Sequence, residues 1–265
     1  MSTIVLCSAT GSPGVTVTAL GLALAWPRDV LLADADRTPS QSVLAGYLRG
    51  EVTQGRGLPG LLQAHRERTH LLDAIDEQVL ELPEPPRPRP RSGEETQAVR
   101  RRFLPGFVRL GTIDLFGPVW RELAQTFRDM HSDVVVDAGR IGRHGLPEAL
   151  TETADRVLVV TRTTLPALAA VRLYLPLLAE RQLEDRLGLV LIGSGRPYAA
   201  GEITDQFGVG VAAQIPWEPR WADELALGVP VGSGWWGRKL ARGYADAAAT
   251  LSAVERREPV MEVTA

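Results

Sequence analysis

Residues 4–25 read IVLCSATGSPGVTVTALGLALA, and this stretch decides the fold. An apolar run at 4–7 leads into a glycine-rich turn, Gly11-Ser12-Pro13-Gly14, and the turn opens a helix-like stretch over 15–25. Strand, glycine turn and helix in that order form a phosphate-binding loop, in which backbone N–H groups and a helix N-terminus cradle an anion. A working loop of this kind puts Lys directly before its Ser/Thr. Here Val15 precedes Thr16, and the single lysine of the chain is the distant Lys239. Pro13 also removes one backbone donor from the turn. Thr16 and Thr18 are placed to line or cap the helix start.

Two further apolar runs end in acids. Residues 30–36 read VLLADAD, with Asp34 and Asp36 at i and i+2, which an extended chain points to one side. Residues 133–140 read DVVVDAGR, an apolar strand that closes on Asp137. In parallel α/β sheets, ligands sit beyond the C-terminal ends of strands. Acids there suit a metal or a water-positioning role, or they cap the turns that follow. The candidate set is therefore Gly11, Ser12, Gly14, Val15, Thr16 and Thr18 for the cofactor, Thr16, Asp34 and Asp137 for a metal, and Asp36 as the catalytic, water-positioning acid. Arg37, Arg140 and Arg143 are the arginines near these strand ends that have the charge to meet a phosphate.

The rest of the chain continues the alternation. Strands are expected at 3–7, 30–33, 134–137, 156–161 and 188–192, with weaker ones at 107–111 and 210–215. Helices are expected at 16–25, 119–130, 146–153, 165–181, 200–206 and 236–255. Nearly continuous apolar strands alternating with helices specify a doubly wound, mainly parallel sheet covered on both faces. Residues 1–256 are expected to form one α/β domain, followed by a polar tail at 257–265. Residues 83–102, PEPPRPRPRSGEETQAVRRR, interrupt the pattern. They read as a solvated loop or, alternatively, as a basic arm for a partner.

Composition narrows the classes. With 265 residues and 45% hydrophobic content, the chain has material for a sizeable core. A net charge of −3 gives no global pull towards DNA or acidic membranes. A single cysteine, Cys7, precludes an intrachain disulfide and suits a cytoplasmic protein. No apolar stretch reaches the roughly 18–20 residues of a membrane span. The tail at 252–265, SAVERREPVMEVTA, lacks an amphipathic pattern, so direct membrane insertion is not expected. Arg238, Lys239 and Arg242 share a helix face, too few charges to assign DNA binding. Trp235-Trp236 reads as partly buried at a helix start or as a partner contact, and the four histidines show no metal spacing.

Together these segments resemble the ParA/MinD family of P-loop ATPases, whose deviant Walker A motif runs approximately Lys-Gly-Gly-x-Gly-Lys-Thr. The matching residues are Thr10, Gly11, Ser12, Pro13, Gly14, Val15 and Thr16, followed by VTALGLALA. Residues 30–48, 132–142, 150–175 and 212–231 are similar to the family's later segments, so the likeness spans roughly 3–252. It implies a P-loop fold, ATP or ADP with Mg²⁺ as cofactor, homodimers and protein partners. Both family lysines are absent, at Thr10 and Val15. An uncompensated buried charge costs on the order of 3–5 kcal/mol, or roughly 10²–10³-fold in affinity. The expectation is a pseudo-ATPase with no cofactor or only weak ATP/ADP binding. It would act as a positioning or scaffold factor, with pilus, secretion or septum machinery as the setting the resemblance suggests. The alternative is an active partitioning ATPase in which arginines replace the lysines.

Overall fold

The computed structural model describes residues 1–11, 14–51, 53–86, 98–143, 145–179, 183 and 185–253. The readings that fall on Ser12, Pro13, 87–97, His144 and 254–265 lie outside the described residues. The strands are β1 (Thr3–Ser8), β2 (Val30–Asp34), β3 (Leu80–Glu81), β4 (Arg101–Leu104), β5 (Asp133–Arg140), β6 (Arg156–Arg162), β7 (Leu187–Ile192) and β8 (Val211–Ile215). The helices are α1 (Val15–Ala25), α2 (Leu58–Arg66), α3 (Leu71–Gln78), α4 (Gly111–Leu115), α5 (Trp120–Asp129), α6 (Glu148–Thr153), α7 (Leu165–Ala179), α8 (Ala200–Phe207), α9 (Pro219–Ala226) and α10 (Lys239–Ser252). A π-helical segment, Ser42–Tyr47, and a 3₁₀ turn, Ser233–Gly237, complete the helical parts.

The described strands form one eight-stranded sheet in the order β3-β4-β2-β5-β1-β6-β7-β8. Every pairing is parallel except β3 with β4. This is the doubly wound fold that the apolar runs specify. Strands from both sides of the 83–102 stretch share the sheet. Alternation of side chains along each strand divides the core into two layers. Val5, Cys7, Val134 and Val136 face α2, α3, α5, α6, α7 and α8. Ile4, Leu6, Val135 and Leu158 face α1, α9 and α10. Chain order reverses about β1, which places a crevice at the C-terminal ends of the central strands.

At the opposite edge, Asp133 is fully buried at the start of β5. Its carboxylate accepts the Ser2 N–H at 2.6 Å and the Trp26 indole N–H at 2.7 Å. It also pairs with Arg28 at 2.6 Å. One acid thereby ties the start of the chain, the end of α1 and the central strand together.

Several local expectations need correction. The strand expected at 107–111 lies earlier, at β4, and α4 begins where that strand was placed to end. Arg101 and Arg102, read as part of a solvated insert, are buried strand residues. Arg101 Nε donates to the Leu24 carbonyl at 2.9 Å, and Nη2 donates to Trp26 at 3.0 Å. These are carbonyls at the C-terminal end of α1, which lack intrahelical partners and attract cations. Glu84 lies 3.1 Å away and balances the charge. Arg102 pairs with Asp76 on α3. The last helix starts at Lys239, because 233–237 forms the 3₁₀ turn. Helices α2 and α3, the π-helical segment and β3 were not anticipated. Trp235 is buried, whereas Trp236 is half-buried and donates to the Pro85 carbonyl at 3.1 Å.

Candidate functional site

A cleft of about 480 Å³ opens at the C-terminal ends of the central strands. Gly11, Gly14, Val15, Thr16 and Thr18 line one wall, with Thr10 beside them. Ser12, assigned to the same loop, lies outside the described residues. Gly14 caps α1 with φ 95°, a left-handed conformation suited to glycine. The helix start has no side-chain cap and no acid in its first turn, so its positive end is open to an anion. Val15 is buried in the apolar layer with α1 and α10. No cation therefore stands at the position where the family's loop carries lysine.

Asp36, Gly139 and Arg140 form the facing wall. A Cβ on Gly139 would fall 2.0 Å from the Asp36 carboxyl carbon, and its φ is +62°. Only glycine lets the two strand ends approach this closely. The Asp36 carboxylate accepts the Thr38 N–H at 2.7 Å. Burial raises its pKa, against that hydrogen bond and the charges of Arg140 and Arg37. A Cβ on Gly11 would fall 2.1 Å from an Arg140 guanidinium nitrogen. Arg140 thus lies directly over the glycine loop.

Asp34 and Asp137 sit behind this wall rather than on it. They are register partners across β2 and β5. Burial above all, and then the facing charge, holds the Asp34 carboxyl above its usual range. Burial does the same to Asp137, opposed by the Thr16 hydroxyl and the Gly139 N–H that donate to it. Thr16 and Asp137 are thus in direct contact, hydroxyl to carboxylate. Among the described residues, however, no group of three or more His, Cys, Asp or Glu side chains is placed to hold a metal.

Of the three arginines proposed to meet a phosphate, one lines the cleft. Arg37 donates instead to the Gly145 and Ile141 carbonyls and fixes the loop after β5. Arg143 is exposed away from the lining residues. Sequence reasoning missed Arg162 and Trp217. Arg162 ends β6 and stacks over the Trp217 ring, 4.6 Å from its centroid, and both line the cleft. The strand-end position of Arg162 was the signal available, the same one that located Asp34 and Asp137. Arg238, on the shared basic face, lies 3.5 Å from the Trp221 ring centroid. Among the described residues, no helix is long and apolar enough to cross a membrane.

No protein-family model matches the chain, and no curated protein matches it. Solved structures do. A ParA family ATPase from Chlorobium tepidum superposes with a TM-score of 0.72 at 18% identity, covering 94% of this chain and 98% of that one. The septum site-determining protein MinD from Pyrococcus horikoshii, complexed with Mg-ADP, gives 0.68 at 18% identity, covering 95% and 96%. MinD in the MinC:MinD cell division complex of Aquifex aeolicus gives 0.66 at 18%, covering 98% and 99%. The order of strands, the glycine turn before α1 and these superpositions agree: the chain has the fold of the MinD and ParA P-loop ATPases.

Proposed function

We propose that this protein is a positioning or scaffold factor built on the MinD/ParA fold, working through protein contacts and without efficient ATP hydrolysis. The observation that carries this reading is Val15, an apolar side chain buried at the first position of α1. Phosphoryl transfer rests on electrostatic stabilisation of the migrating charge. A valine there supplies none, and Thr10 supplies none at the second lysine position. Thr16 and Asp137 are the residues that would hold Mg²⁺, which in such sites neutralises phosphate charge. Asp36 is the residue left to orient a water. The MinC:MinD complex supports a protein partner for a chain of this fold. Any homodimer in this reading is nucleotide-independent, because the lysine that reaches across the dimer in the family this chain resembles is absent.

Phosphate release from ATP–Mg²⁺ tests the reading. Wild type is expected to match the no-protein background, at monomer and at high concentration. Sustained turnover by wild type overturns it and favours the active, arginine-based ATPase. Val15→Lys is expected to increase ATP affinity at the same site.

A further inference from the structure

Away from the cleft, two aromatic side chains hold a proline-rich piece of the chain itself. Residues 82–86 read Leu-Pro-Glu-Pro-Pro and follow the short edge strand β3. Leu82, Glu84 and Pro85 each precede a proline. Proline fixes its own φ and biases the residue before it to extended backbone, so the segment is a stiff, polyproline-like strap. The Tyr47 hydroxyl donates to the Pro83 carbonyl. The Trp236 indole N–H donates to the Pro85 carbonyl at 3.1 Å. Between these two contacts, Glu84 pairs with Arg101 at 3.1 Å. Pro85 is buried, whereas Pro83 and Pro86 are exposed.

The two aromatics stand on irregular elements. Tyr47 closes the π-helical segment Ser42–Tyr47, and Trp236 lies in the 3₁₀ turn Ser233–Gly237. π-Helical turns are frequent at functional positions. Gly46 seats this one against the end of α9, where a Cβ would fall 1.9 Å from the Ala226 carbonyl oxygen. Arg49 Nε fastens the same junction through the Gly228 carbonyl at 3.0 Å. Both rings pack on the core layer with α1, α9 and α10, which fixes their positions. Burial above all, and then the Glu84 charge, raises the Tyr47 pKa against the pull of Arg101, so its hydroxyl stays a donor. Aromatic side chains donating to the carbonyls of a proline-bearing strand are the chemistry by which aromatic grooves read polyproline segments. Leu227 and Val229, flanking Gly228 at the same junction, are 70% and 43% exposed, apolar surface that the strap does not cover.

We propose that Tyr47, Trp236 and Arg101 form a recognition site for a proline-rich, acid-bearing segment of a partner protein, and that residues 82–86 are a built-in competitor that holds the site closed. This deepens the reading above and rests on it in one respect, that the protein works through contacts with another chain. A tethered occupant acts at an effective concentration on the order of millimolar. A partner therefore binds weakly until the strap is released.

Fluorescence anisotropy with a labelled peptide carrying Leu-Pro-Glu-Pro-Pro tests the proposal, on the full chain and on a Pro83→Gly/Pro85→Gly variant whose strap is loosened. The variant is expected to bind the peptide about tenfold more tightly than wild type. In that background Tyr47→Phe is expected to weaken binding about fivefold, through loss of one hydrogen bond. Trp236→Ala is expected to weaken it about tenfold or more. A peptide with alanine at each proline is expected to bind about tenfold more weakly, because it is not preorganised. Melting curves report whether each variant is folded, and Pro83→Gly alone, at an exposed position, replaces the double variant if that one is not. Three results overturn the proposal: no binding to a folded strap variant at millimolar peptide, equal affinity for the alanine peptide, or affinity unchanged by both Tyr47→Phe and Trp236→Ala. A wild-type dimer in light scattering that Trp236→Ala dissociates also overturns it, since two copies then exchange straps with each other. Phosphate release, measured on the same samples, separates the two ideas. Turnover by wild type sinks the scaffold reading; absence of peptide binding without turnover sinks only this one.

Discussion

Two pairs of arginines in this molecule have opposite fates. Arg101 and Arg102 on β4 are buried, and their guanidinium groups are spent on the carbonyls closing α1, on Glu84 and on Asp76. Arg140 and Arg162 end β5 and β6 with their charges at solvent, against Gly11 and Trp217. The first pair has its hydrogen-bonding capacity directed into the protein and serves structure. The second pair faces a cleft, with its charges open to whatever enters it. The same residue type, placed at the start or at the end of a parallel strand, separates into scaffold and site.

Mutation can break this division or sharpen it. The largest effect is expected from Arg101→Ala, which leaves the α1 carbonyls and Glu84 without their cation. Loss of one partner from a buried ionic cluster costs about 3 kcal/mol or more, visible as a fall of many degrees in melting temperature. Arg102→Ala should cost about 1 kcal/mol, since Asp76 is mostly exposed. If chemical denaturation ranks these two below Arg140→Ala, the division is wrong.

Asp34→Asn probes the cleft side through pH. Burial and the facing Asp137 raise the Asp34 pKa in the folded state well above the usual carboxylate range, to about 8, so folding favours the protonated form. Stability from this group is complete below pH about 4 and is lost as pH rises through the raised folded value. The Asn variant should therefore match wild type near pH 4 and exceed it by more than about 1 kcal/mol at pH 8. Melting curves across that range decide it, and equal stability at both ends would remove the cost of burying this carboxylate beside Asp137 from the account. The smallest effects belong to Arg140→Ala and Arg162→Ala. Each is exposed and should change stability by less than about 0.5 kcal/mol.

The sequence was legible where one strand carried its own message. β1, β2, β5, β6 and β7 are apolar runs because both faces of the sheet are covered, and two of them end in acids at the crevice. β4 was not legible, because its first two residues are arginines. Their burial depends on Leu24, Trp26 and Asp76, far away in sequence. In the site, the loop, Asp36 and the buried acids could be read directly. The Arg162–Trp217 stack could not, since it exists only when the ends of β6 and β8 are brought to one cleft.

Asp133 gives that layout a wider meaning. It shares β5 with Asp137, but at the foot of the strand it is held by Ser2, Trp26 and Arg28. The fastening of the sheet and the chemistry of the cleft are written on opposite ends of one strand. Charges at the mouth can change while the Asp133 cluster at the foot keeps the start of the chain, α1 and β5 fastened together. Substitution at the mouth of the cleft is therefore a local event, one that leaves the fastening at the foot of the strand untouched.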